Sequence, residues 1–197
     1  MIALLAFGAD AQAAKFDYTA AEGAAILAEE NRIADADTLI HSAMLHDGRL
    51  VGAVIATGVA PDSRGILPQT ALQLVVSTEC NDPPHGRDDQ LAIVDLLIAK
   101  GANVRDTSFG DSEIVIWAAQ QCPPAVVERL LDAGANIEAR TPQGFSPLSM
   151  ALTVKNYDTA EMLIGRGARI KPETVKKLFS STGDARLDAL VQRAAKN

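Results

Sequence analysis

At 197 residues, with 48% hydrophobic and 22% charged residues, the chain has the composition of one folded domain or two small ones. Its 25 acidic residues against 18 basic give a net charge of −7, which disfavours nucleic-acid backbones and anionic lipid, since both need clustered Lys and Arg. No stretch approaches the ~18 apolar residues of a membrane-spanning helix.

The chain opens on a short apolar run, Ile2 to Gly8, followed by Ala11-Gln12-Ala13, the small-x-small pattern of a signal-peptidase site. Residues 1–14 are expected to be a signal peptide or disordered leader, which makes the mature protein periplasmic or secreted. No Lys or Arg precedes the run, and Leu4 to Asp10 also reads as the end of a helix; on that rival reading the protein is cytoplasmic. Residues 15–32 follow as an N-terminal capping helix, with Ile26 and Leu27 apolar and Glu22, Glu29 and Glu30 polar.

Beyond this the chain repeats. Gly101, Gly134 and Gly167 are spaced by 33 residues, each followed by alanine and each preceded by Leu97-Ile98, Leu130-Leu131 or Leu163-Ile164. A fixed period of this length is the signature of a solenoid, whose units bury their apolar faces only against neighbours. Within a unit, Ser146 is an N-cap with Pro147 at the first helical position, Thr159 to Ile164 form a second helix, and Gly167 suits the left-handed position that ends it. Arg140-Thr141-Pro142-Gln143-Gly144-Phe145 is the turn before the pair.

Gly144-Phe145-Ser146-Pro147-Leu148, followed by a second helix ending in Gly167-Ala168, resembles the G-x-T-P-L…G-A pattern of the ankyrin repeat. The resemblance implies an all-α repeat solenoid, an ankyrin-type stack of helix-turn-helix units joined by β-hairpin-like loops, with about four repeats and helical caps. These are a degenerate first repeat at 33–64, a second at 65–107, a third at 108–140 and a fourth at 141–173, with a helical cap at 174–197. In the third unit Glu113 stands where Thr is usual, and Val115 to Ala119 take the inner-helix place. The 43 residues from Gly58 to Gly101 exceed the period by ten, an insertion near 79–88. In the first unit Thr38-Leu39-Ile40-His41 matches T-P-L-H without its Pro, so His41 is expected to bond locally to its turn and to Thr38.

Catalytic chemistry is not expected. There is no G-x-S-x-G, H-E-x-x-H or P-loop motif, and His46, five residues after His41, is on the wrong face for a two-His metal pair. Trp117, mid inner helix, is expected in the core. Cys80 and Cys122 occupy nearly the same place in successive units. Packed helices stand about 10 Å apart, beyond the ~7 Å Cα limit of a disulfide, so a bridge requires the insertion to lean across. A Cys80–Cys122 disulfide, at home in an oxidising compartment, and two separate buried or half-buried thiols both stay open.

By resemblance, such repeats bind proteins along a concave strip of hairpin tips and inner helices. The positions carried over are Thr107, Phe109, Gly110, Ser112, Gln120 and Gln121 from the third unit, and Arg140, Pro142, Gln143, Phe145, Thr153 and Val154 from the fourth. Phe109 has the better claim to exposure; Phe145 either anchors a partner or packs between repeats. Ile66 and Leu67 stand at the tip of the second unit. The expected function is a non-catalytic protein-interaction module, an adaptor or an inhibitor or immunity-type regulator. It is expected to need no cofactor or metal and to be monomeric alone. The alternative is a small-ligand or metal-responsive protein using Cys80, Asp82, His85 and Asp88 of the insertion.

Overall fold

The computed structural model describes residues 14–78, 80, 86–108, 110–178 and 183–195. The chain divides into two compact units, Met1–Val104 and Arg105–Asn197. Among the described residues there are eleven α-helices and no strand.

The first unit opens on a 3₁₀ turn, Ala14–Phe16, followed by α1 (Ala20–Glu29), α2 (Ala36–Met44), α3 (Gly48–Ala56), α4 (Ala71–Ser77) and α5 (Arg87–Ala99). The inner helices α2 and α4 pack side by side, as do the outer helices α3 and α5. Phe16, almost fully buried, lies across α3 where Gly48 and Gly52 leave no side chain in its way. Helix α1 packs mainly on α3, in the outer layer rather than beneath α2.

In the second unit α6 (Ile114–Gln121) and α8 (Pro147–Thr153) are the inner helices, and α7 (Pro124–Asp132) and α9 (Tyr157–Gly165) the outer ones. Helices α10 (Pro172–Leu178) and α11 (Ala185–Ala195) follow, with Leu187, Leu190, Val191 and Ala194 of α11 buried and α11 packed on α9.

Local sequence explains most helix boundaries. Thr19 with Glu22, Thr70 with Gln73 and Ser146 with Ser149 form reciprocal capping boxes at α1, α4 and α8. Every outer helix from α5 onward ends the same way. The glycine at 101, 134 or 167 takes φ of +93°, +98° or +96°, and the next N–H reaches back to Leu97, Leu130 or Leu163. A Cβ would meet nothing within 4 Å at these glycines, so the requirement is for a left-handed backbone and not for space. Helix α1 closes identically. Asn31 has φ +50°, and Arg32 N–H bonds to Leu27 O at 2.8 Å. Helix α1 thus ends on the same left-handed cap, with asparagine where the later helices have glycine.

A second recurring bond ties successive turns. Two residues after its glycine, the backbone N–H of Asn103 donates to Asp62, and that of Arg169 to Glu138. Asp62 and Glu138 each lie four residues beyond the preceding glycine. After Gly101 that place is taken by Arg105, and the acceptor for Asn136 N–H becomes Glu113, at 2.9 Å. Arg105 holds the same carboxylate at 3.1 Å. This explains Glu113 at the N-cap of α6, where its side chain caps nothing.

At the C-terminal end, one carboxylate organises the cap. Asp184 accepts from the Tyr157 hydroxyl, from Lys155 Nζ at 3.1 Å and from the backbone N–H groups of Arg186 and Leu187. The Tyr157 hydroxyl foremost, then the Leu187 amide and Lys155, hold the Asp184 carboxyl far below the usual carboxylate range. A depressed pKa means that the bond network stabilises the fold fully above the carboxyl's ordinary value of 3.8 and is lost as pH falls below it. Asp184→Asn is therefore expected to lower the melting temperature at neutral pH, and the gap to the parent should close as pH is taken below that value. A gap of constant size across the titration would show that the charge is not what holds α11.

Candidate functional site

The second unit brings part of the expected strip together. The turn before α8 is built on Thr141, whose N–H donates to Phe145 O at 2.9 Å while its carbonyl accepts from Gly144 N–H at 2.8 Å. The Thr141 hydroxyl accepts from Phe145 N–H. This rigid turn sets Arg140, Gln143 and Phe145 on the wall of an open groove of about 420 Å³, opposite Lys171, Glu173 and Thr174. Arg140 is braced by Glu138 at 2.9 Å. Phe145 is half-buried, packing with one part and facing the groove with another.

Elsewhere on the strip, Thr107, Gly110, Pro142, Gln143, Thr153 and Val154 are exposed, while Gln120 and Gln121 are half-buried. Ser112 is buried and donates to Gly110 O at 2.9 Å, so it braces its turn and leaves the candidate surface. Phe109 lies outside the described residues. Trp117 is half-buried rather than in the core, and a Cβ at Gly110 would fall 3.1 Å from its ring.

The first unit holds a larger groove, of about 640 Å³, assembled from three separate segments. Its floor is the open face of α2, with Thr38, His41 and Met44; its walls are the stretch from Asn31 to Asp37 and the loop at Ile66-Leu67. The Asp37 carboxylate accepts the backbone N–H of Ile66 at 2.6 Å. At the neighbouring Gly65 a Cβ would fall 1.8 Å from the same carboxylate oxygen, so only glycine lets the loop sit down on Asp37. The loop is thereby pinned with the Ile66 side chain 89% exposed.

This groove corrects the reading of His41. Helix α2 starts three residues earlier than the T-P-L-H register demands: Asp35 is the N-cap, accepting from Thr38 N–H at 2.8 Å, and Leu39, Ile40, Ser42 and Ala43 are the buried set. His41 falls on the exposed face and lines the groove. The buried histidine is His46. It ends α2 with φ +54°, and its Nε2–H donates to Val75 O on α4 at 2.9 Å. Sequence reasoning weighed His46 only as a metal ligand, because a left-handed residue that is not glycine carries no motif.

Cys80 and Cys122 are both buried and both disulfide-bonded, and the chain holds no other cysteine, so the bond joins these two. A sulfur in a disulfide is not a thiolate, which removes Cys80 from the metal-donor set considered for the insertion. His85 and Asp82 of that set lie outside the described residues, and Asp88 is exposed. Among the described residues no three His, Cys, Asp or Glu side chains are grouped to hold a metal, and no helix is long and apolar enough to cross a membrane.

Paired helices that repeat with a common cap, joined by loops beside open grooves, define a helical-repeat protein. Residues 86–188, somewhat more than half of the chain, match the family described as ankyrin repeats in three copies, and the chain belongs to that family. Over 87 residues it is 31% identical to a protein of Acanthamoeba polyphaga mimivirus named as an ankyrin repeat protein, a match covering 42% of this chain and 54% of that one. The chain thus spans about half the length of the curated relative it matches. Ankyrin repeats generally mediate protein–protein interaction.

Proposed function

We propose that the chain is a non-catalytic interaction module, an adaptor or an inhibitor or immunity-type regulator, that is monomeric alone and engages a protein partner through its loop tips and inner-helix faces. The observation that carries this is the rigid Thr141–Phe145 turn, which presents Gln143 and Phe145 beside Arg140 over an open groove. An aromatic with a polar surround on a preorganised turn is what an interface anchor requires. The disulfide supports an oxidising location, and with it the reading of residues 1–14 as a leader of a periplasmic or secreted protein.

One experiment tests both parts. The chain carrying a C-terminal tag, recovered from its native host, is expected in the extracytoplasmic fraction, shortened at its N-terminus and bound to a protein. Gln143→Ala with Val154→Ser should abolish the complex while leaving the melting temperature within about 2 °C, as exposed substitutions do. A complex unaffected by these changes would place the interface elsewhere, and an intact N-terminus on a cytoplasmic chain would overturn the location.

A further inference from the structure

The two units differ sharply in charge. Met1–Val104 carries six basic residues against fourteen acidic, a net charge of −8, whereas Arg105–Asn197 carries twelve against eleven, a net charge of +1. Exposed aliphatics divide the same way. Of the large hydrophobic side chains exposed among the described residues, Ile33, Leu45, Ile66 and Leu67 belong to the first unit and Val154 to the second. Ile33, Ile66 and Leu67 stand on the walls of the 640 Å³ groove, in company with Asp35 and Asp37.

Two observations show that this patch is held open. Ile33 and Ile66 are 70% and 89% exposed although both line the groove. The Ile66 backbone is fixed from below by the Asp37 carboxylate, and Gly65 permits that approach. An aliphatic side chain kept in water by a purpose-built backbone contact costs solvation, and burying it against a partner recovers that cost.

From the coincidence of acidic field and pinned aliphatics in one unit, we infer that the groove between α2 and the Ile66 loop takes a basic segment of a protein partner that inserts an aliphatic side chain between Ile33 and Ile66. The inference rests on the interaction-module reading and names the chemistry of the partner. A net charge of −8, or −7 once residues 1–14 are removed, steers cationic segments toward the unit and repels acidic ones. The same field argues against a second copy as occupant, because another first unit is equally acidic and the second unit is nearly neutral. Asp35 and Asp37 supply the carboxylates of the groove, which Arg32 and His41 also line.

The test uses three fluorescein-labelled peptides with the full-length chain: Gly-Lys-Arg-Leu-Leu-Lys-Arg-Gly, the same with both leucines replaced by serine, and the same with its four basic residues replaced by glutamate. Fluorescence anisotropy at low salt is expected to show binding of the first at least about tenfold tighter than of either other, weakening as salt is raised. Ile33→Ser with Ile66→Ser should reduce that binding about tenfold with the melting temperature unchanged, since both side chains are exposed. Equal binding of the serine peptide, or undiminished binding to the double variant, overturns the aliphatic anchor. Equal or tighter binding of the glutamate peptide overturns the charge assignment. A dimer in sedimentation that the double variant dissolves would make a second copy the occupant and overturn the inference. A host complex lost with Gln143→Ala and Val154→Ser but kept by the Ile33 and Ile66 changes would overturn the groove while leaving the interaction module standing.

Discussion

Reduction of the Cys80–Cys122 disulfide is expected to lower the stability of the chain by about 4 kcal/mol, and its melting temperature by on the order of 10 °C. The ring it closes spans roughly 40 residues, and a cross-link over such a loop removes entropy mainly from the unfolded chain. Both sulfurs are buried, so a reductant reaches them only when the structure opens; the reduced protein is best prepared in denaturant and refolded. The comparison is between oxidised and reduced protein of identical sequence, followed by heat under the same buffer. If both forms melt within about 2 °C of each other, the bond is a tether without thermodynamic consequence, and the argument for an oxidising compartment loses its support.

The second large effect is expected at His46. His46→Ala should cost about 3 kcal/mol, because it empties a fully buried ring position and takes away the donor that Val75 O accepts at 2.9 Å. Gln90 Nε2, at 3.4 Å from the same carbonyl, compensates only in part. His46 also carries a side chain at φ +54°, which separates two contributions. His46→Gly removes the same ring but relieves the left-handed backbone, so it should be less harmful than His46→Ala by up to about 1 kcal/mol. Denaturant unfolding of both variants reads this difference directly. Should glycine match or exceed the parent, backbone strain would outweigh the buried hydrogen bond and the Val75 contact would be incidental.

Legibility in the sequence followed the range of the interactions involved. The glycines at 101, 134 and 167 announced their helix ends because a left-handed turn, its alanine and its leucine lie within five residues of one another. Asn31 performs the same turn, yet it stood apart from the period and was not glycine, so this cap carried no signal in the sequence. His41 was misplaced by three residues of register: a Thr-x-x-His string matched the motif, but Asp35 captured the N-cap and burial of Leu39 and Ile40 turned His41 outward. Glu113 looked like a worn motif; it is the acceptor that an arginine at position 105 made necessary.

The sites divide in the same manner. The hairpin residues Arg140, Gln143 and Phe145 could be named from the repeat pattern because one short segment supplies them. The larger groove draws on residues 31–37, on α2 and on the loop at Ile66, segments whose proximity no local pattern encodes.

The family, the helix pairs of the last two repeats and their closing glycines are legible in the chain alone, since hydrogen bonds and torsions between near neighbours satisfy them. Packing in space set the pairing of Cys80 with Cys122, the burial of His46 in place of His41, and the hydrogen bond from the Ile66 backbone to the Asp37 carboxylate. Each of those depends on contacts between residues 29 or more positions apart, where position in space and not spacing in sequence sets the energy.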